Sequence, residues 1–223
     1  PTDLLTLVLT RGHETVDDWD DGLLLRETIH FLVAGAHTTG TTLLHAFDDL
    51  SRWWVEHPED RARSGDRAFL QQVVHESLRL HPPSLQQLRR VTADLRLGDG
   101  RILPAGTLLV LDLVAANRDP RVFGPDAERF NPHRVPRGRA PRYGHTFGGG
   151  PHMCIGRELA AGLVAGTVLG EGQGPLYGIV TRMLARLLAA GAAPDPTRRP
   201  QRNPATRREQ YLSYPVIFQR RAG

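Results

Sequence analysis

The chain has 223 residues, with 28 basic side chains that are all arginine against 24 acids, for a net charge of +4 with histidine neutral. That length can bury a core without staples, and the single cysteine, Cys154, excludes both an intramolecular disulfide and a zinc site built from several thiolates. The basic pI of 9.9 reflects the arginine pKa, and the charges are scattered among acids, a pattern that argues against nucleic-acid binding.

Apolar runs such as Leu159 to Leu169 are too short and glycine-rich to span a bilayer, and the N-terminus carries no basic flank with a small-residue cleavage site. The expectation is a cytoplasmic protein without a membrane partner. The sequence opens at Pro1 rather than Met, which points to a start inside a longer chain.

From Asp20 to Glu56, apolar residues including Leu24, Leu25, Ile29, Leu32, Val33, Leu43, Leu44, Phe47 and Leu50 recur at helical spacing and predict one long helix. Its middle, Ala34-Gly35-Ala36-His37-Thr38-Thr39-Gly40-Thr41-Thr42, places two glycines and four threonines where alanine or leucine is favoured, so a local weakening or kink is expected. A second helix follows the capping residue Asp66 and runs to Leu80, where His81-Pro82-Pro83 stops it.

The period then changes. Leu88 to Leu97, the turn Gly98-Asp99-Gly100, Arg101 to Leu103 and Thr107 to Leu113 read as short strands of a small antiparallel sheet. Asn117 to Gly150 is rich in Pro, Gly and Arg with little periodicity, as in a functional loop. A helix is expected from Ile155, a break at Gly170 to Pro175, another helix over Leu176 to Ala190, an exposed linker from Pro194 to Pro204 and a closing strand from Tyr211 to Phe218.

The most informative stretch is Phe147-Gly148-Gly149-Gly150-Pro151-His152-Met153-Cys154-Ile155-Gly156-Arg157. Glycines let backbone approach a bulky planar ligand, and a cysteine just ahead of a helix start lies where N–H groups stabilise a thiolate. Upstream, Glu76-Ser77-Leu78-Arg79 puts a carboxylate and a guanidinium three residues apart on one helix face, followed by Leu80-His81-Pro82-Pro83.

Together with Ala34-Gly35-Ala36-His37-Thr38-Thr39, these motifs resemble the cytochrome P-450 family, in this order and at matching spacing. The resemblance implies a mainly helical fold with small antiparallel sheets, corresponding to the C-terminal half of a single haem domain. In it, residues 20–56 would be the central helix, 66–80 the Glu-x-x-Arg helix, and 143–170 the haem-binding loop with its following helix. Family members are nearly twice as long, so the resemblance also implies a missing N-terminal segment or a partner chain that supplies it.

The resemblance makes Cys154 the axial thiolate of haem b, with Phe147 shielding the proximal face, Gly150 and Gly156 permitting close packing, and His152 contacting a propionate. It assigns Glu76, Arg79 and Arg129 to a buried structural ion network. An arginine after the proline stop would meet a second propionate; alternation along a strand leaves only one of Arg89 and Arg90 for this, and spacing to Asp94 favours Arg89.

Thr38 matches a proton-relay threonine, while His37 stands where an acid is usual. The implied reaction is monooxygenation of an apolar small molecule by O2, with electrons from a ferredoxin or flavodoxin and its reductase. His37 opens a peroxide-dependent alternative; the short chain opens a third, a non-catalytic haem-binding module.

Overall fold

The computed structural model describes residues 3–15, 17–163 and 175–219, and the chain divides into two units, 1–40 and 41–223. The first unit holds α1 (Leu4–Thr15) and the opening stretch of α2 (Asp21–Glu56). Asp20 ends the connection by accepting the Leu23 N–H at 2.6 Å, which satisfies one of the donors a helix start leaves open.

α2 runs as one helix over all 36 residues, through the stretch 34–42 where the sequence predicts a local weakening or kink. Thr38 returns its hydroxyl to the Ala34 carbonyl at 2.7 Å. Propensity penalties of roughly 0.5–1 kcal/mol per threonine or glycine are outweighed once a long helix is nucleated and each added residue contributes a bond. Leu25, Leu32 and Val33, although placed at helical spacing, are exposed.

The second unit begins on the same helix at Thr41, and there the periodicity is used for burial. Ala46, Phe47 and Leu50 of α2 join Phe69, Leu70, Val73, Val74 and Leu78 of α3 (Arg67–Leu80) in one core. A short 3-10 turn, Pro58–Arg63, separates the two helices. Asp66 caps α3 as expected, its carboxylate accepting from the N–H groups of Ala68 and Phe69.

β1 (Gln86–Arg90) pairs antiparallel with β4 (Leu108–Asp112), and β2 (Leu95–Arg96) with β3 (Ile102–Leu103) around the Gly98–Gly100 turn. Two one-turn helices follow, α4 (Leu113–Ala116) and α5 (Pro120–Phe123), and then a long aperiodic segment reaches the 3-10 turn Gly150–His152.

The helix after Cys154 is α6 (Arg157–Ala161), and α7 (Ile179–Ala189) brings Val180 and Leu184 into the core. Residues 164–174, which hold the expected continuation of the helix from Ile155 and all of the expected Gly170 to Pro175 break except Pro175, lie outside the described residues. Beyond α7, β5 (Ala192–Pro194) pairs with β8 (Val216–Phe218), and β6 (Gln201–Arg202) with β7 (Tyr211–Ser213). The expected closing strand is therefore two strands in different ribbons, separated at Tyr214-Pro215, because proline removes a ladder donor. Two-stranded ribbons are marginal by themselves, so these lean on the helical core for stability. Among the described residues no helix is long and apolar enough to cross a membrane.

Candidate functional site

α3 is buried on nearly all sides, including Gln71, His75, Glu76, Ser77 and Arg79. Burying so many polar groups costs several kcal/mol unless each finds a partner, and the partners define the architecture behind the cysteine loop.

Arg79 is fully buried, and its five N–H groups are all accepted. Nε and Nη2 donate to the two Glu76 oxygens at 2.8 and 2.7 Å, Nη1 to the carbonyls of Asn117 and Ala127 at 2.7 Å each, and Nη2 also to the Arg129 carbonyl at 3.3 Å. Glu76 accepts in addition from Arg134 Nε at 2.9 Å and from the Asn131 N–H at 3.1 Å.

The network thus differs from the expected one at one position. Arg129 contributes its carbonyl while its side chain is exposed and lies 3.7 Å from exposed Glu56; the second buried guanidinium is Arg134. The reason is reach. The turn at 129–131 points the Arg129 carbonyl inward, toward Arg79 and Arg134, which leaves its side chain outside.

Arg134 also donates to Asp126 and to the Phe123 carbonyl. Burial opposes its charge, yet the bonds to Asp126 and Glu76 raise its pKa on balance. The Arg134 hydrogen bond holds the Asp126 carboxyl below its usual range.

Asn117, also fully buried, carries this order toward the cysteine. Its amide donates to the Arg79 carbonyl and to Thr146 Oγ1, and its oxygen accepts the His145 N–H at 2.7 Å. Thr146 in turn donates to the Leu78 carbonyl at 2.7 Å. The next residue, Phe147, packs on the core and meets Tyr143 edge to face at 5.0 Å. Its carbonyl accepts the Cys154 N–H at 2.9 Å, which closes the loop.

Cys154 itself is free and exposed. Met153, Ile155 and Leu159 beside it are also exposed, Ile155 by 81%. Gly148 has φ +71°, a turn conformation that favours glycine, and the tip of the Gln87 side chain lies 2.5 Å from where an added Cβ would stand. Gly150 also has positive φ, and Gly156 lies close enough that a Cβ would stand 3.8 Å from Cys154 Sγ. His152 is exposed on the 3-10 turn.

On β1, Gln87 and Arg89 share the half-buried face that meets Gly148, and Arg89 donates to Gln87 Oε1 at 3.0 Å. Arg90 points to the other face, where it donates to the Gly106 carbonyl. His37 and Thr38 belong to the first unit, whereas every other expected site residue belongs to the second.

A planar, largely apolar group with an iron centre fits these residues. Cys154 is a soft sulfur donor of the kind iron porphyrins accept, apolar side chains flank it in the open, and an added Cβ at Gly149 or Gly150 would meet nothing within 4 Å. Sequence reasoning missed Arg134, Asn117 and Thr146. Only a buried-network argument could have found them, since none lies in a periodic segment.

A second polar cluster sits at the end of α3. His81 bonds Glu209 and lies 3.4 Å from Asp49; it stacks at 4.2 Å on buried His45, which bonds the Glu209 carbonyl. With Thr41, Leu85 and Val114, the residues His45, His81 and Glu209 line a cavity of about 220 Å³.

The family profile described as Cytochrome P450 matches residues 1–162. The cyclooctat-9-en-7-ol 5-monooxygenase of Streptomyces melanosporofaciens is 37% identical over 71% of this chain and 38% of its own length. Cytochrome P450 4F5 of Rattus norvegicus is 30% identical over 71% of this chain and 34% of its own. The chain therefore spans little more than a third of such relatives.

Among solved structures, ligand-free cytochrome P450 TbtJ1 aligns with a TM-score of 0.66 at 24% identity, covering 97% of this chain and 55% of that one. HmtT of himastatin biosynthesis gives 0.66 at 23% identity, over 95% and 51%. The matched profile, the curated relatives and the shared fold lead to one conclusion: this chain belongs to the cytochrome P450 family.

Proposed function

We propose that the chain is the C-terminal part of a haem-thiolate monooxygenase acting on an apolar small molecule. The observation that carries this reading is Cys154, an uncommitted thiol at the end of a loop that a fully satisfied buried network holds in place. Haem b, when bound, supplies the activation of O2 that inserts one oxygen atom into substrate and releases the other as water, with electrons from a ferredoxin or flavodoxin and its reductase.

Cys154 would hold the iron from one side as thiolate. Met153, Ile155 and Leu159 would cover apolar ring, and Phe147 would back the loop. Arg89, on the β1 face that meets the loop, and His152 would each neutralise a propionate, while Gly150 and Gly156 would keep the backbone close. Thr38 and His37 would pass protons from solvent. A histidine in the relay favours a second reading, peroxide-driven oxidation, because imidazole both accepts and donates a proton near neutral pH.

The test is oxygen labelling with the haem-loaded chain. Incorporation of one labelled atom from O2 into product, dependent on ferredoxin and reductase, is the expected result. Product formed only with peroxide replaces it with the second reading. Stable haem uptake without turnover from either source assigns the chain to haem binding alone.

A further inference from the structure

α6 has only five residues, far below the length at which a helix holds itself together, yet it is the element that follows Cys154. Its C-terminal carbonyls would be orphaned where the chain departs at Gly162, whose φ of 72° ends the helix. Two side chains of α3, one turn apart, meet that departure.

Gln71, 5% exposed, donates its amide to the Leu163 carbonyl at 2.9 Å and accepts the Gly178 N–H at 3.1 Å. His75, 1% exposed, donates from Nε2 to the Ala161 carbonyl at 2.8 Å. Its Nδ1 is buried without a hydrogen-bond partner, a cost an apolar side chain would avoid, so the one bond it does make calls for a reason.

The two ends of the departure also touch each other. Gly162 pairs with Tyr177 in an antiparallel bridge, and the Leu163 N–H donates to the Leu176 carbonyl at 2.8 Å. Gly162 and Gly178 approach so closely that a Cβ on Gly178 would stand 2.6 Å from the Gly162 nitrogen. The chain therefore leaves and returns through a closed neck.

We propose that Gln71 and His75 form a clip that splices α6 to α7 across this neck, making them positioning residues for the helix that presents Cys154. Gln71 does what a continuous helix would do with its own backbone: it gives a donor to the departing carbonyl and an acceptor to the returning N–H.

Amide hydrogen exchange on the haem-free full chain tests the clip without reference to any ligand. Gln71→Leu is expected to speed exchange of the Ala160 and Gly162 amides at least tenfold, with Leu184 in α7 unchanged; unchanged rates at Ala160 and Gly162 overturn the proposal. A second variant replaces residues 164–175 by Asn-Gly, so that Leu163 and Leu176 flank a two-residue hairpin.

That variant is expected to keep parental exchange at Ala160 and Gly162, and faster exchange there would show that the removed residues hold α6. In its background the short hairpin closes the neck by itself, and Gln71→Leu should then change exchange less than threefold. An equal effect in both backgrounds, or failure of the hairpin to rescue a Gln71→Leu protein that does not fold alone, would reduce Gln71 to ordinary packing.

The consequence for the site rests on the haem-thiolate reading. Haem-loaded Gln71→Leu should lose part of the red-shifted carbon-monoxide Soret band at unchanged haem content. If the parent chain binds no haem, that reading fails while the exchange result still decides the clip; if the parent shows the band and Gln71→Leu keeps it entire, the clip does not position Cys154.

Discussion

The meander behind the cysteine loop and the loop itself treat buried and exposed groups in opposite ways. Behind the loop, Arg79 has all five donors accepted and Asn117 uses both ends of its amide. At the loop, Cys154, Ile155 and Leu159 face outward. On the haem-thiolate reading proposed above, the chain finishes its own scaffold and the cysteine face would be completed by haem, so changes in the two regions should separate stability from ligand binding.

The largest effect is expected from Arg79→Ala. It leaves Glu76 buried with only part of its compensation and orphans the Asn117 and Ala127 carbonyls, a loss of ~3–5 kcal/mol by chemical denaturation. Arg134→Ala should fall in the same range, because Arg134 is Glu76's other buried cation.

Asn117→Ala should cost about 1–3 kcal/mol, since it strands the Arg79 carbonyl and the His145 N–H together. Ile155→Ser is the converse: stability of the haem-free chain within about 0.5 kcal/mol of the parent, but haem retention roughly tenfold weaker from the lost apolar contact. A loss of stability in Ile155→Ser, or none in Arg79→Ala, would break the contrast.

Acid and alkali should act on the scaffold at different places. Burial lowers His75 to about 4, and burial together with the neighbouring His81 lowers His45 to about 4. Against an unfolded value near 6.5, the unfolded chain takes up protons that the folded one refuses, so stability falls as pH drops from about 6.5 toward 4.

His81 runs the other way. Burial alone would lower it, but hydrogen bonds to Asp49 and Glu209 carry it to about 9, so its contribution is complete below about 6.5 and is lost as pH rises through 9. Thermal melting should therefore fall by roughly 5 °C on the acid limb, and His81→Gln should flatten the alkaline limb.

Arg129→Ala is the smallest expected effect, within about 0.5 kcal/mol, because only its carbonyl serves the network. It shows how far sequence reasoning reaches. Glu76 and Arg79 are legible because three residues on a helix fix their geometry in advance. Which of several arginines in an aperiodic segment turns inward depends on a turn made by the fold, and the motif marks the place of Arg129 without saying which atom is used.

Long helices were legible from period alone, as α2 and α3 are. Asn117, Gln71 and His75 were not, since a buried amide or imidazole looks in sequence like any polar residue on a helix or loop. Their partners lie at separations of 28 to 107 residues, beyond any local pattern. α1, with its leucines at residues 4, 5, 7 and 9, carries a readable apolar run that belongs to none of the motifs.

The most direct test of the central claim is the Soret spectrum of the reduced, carbon-monoxide-bound chain beside Cys154→Ser. The account predicts the red-shifted band of thiolate ligation in the parent and its loss in Cys154→Ser with α3 still folded. The same band in both proteins would contradict it.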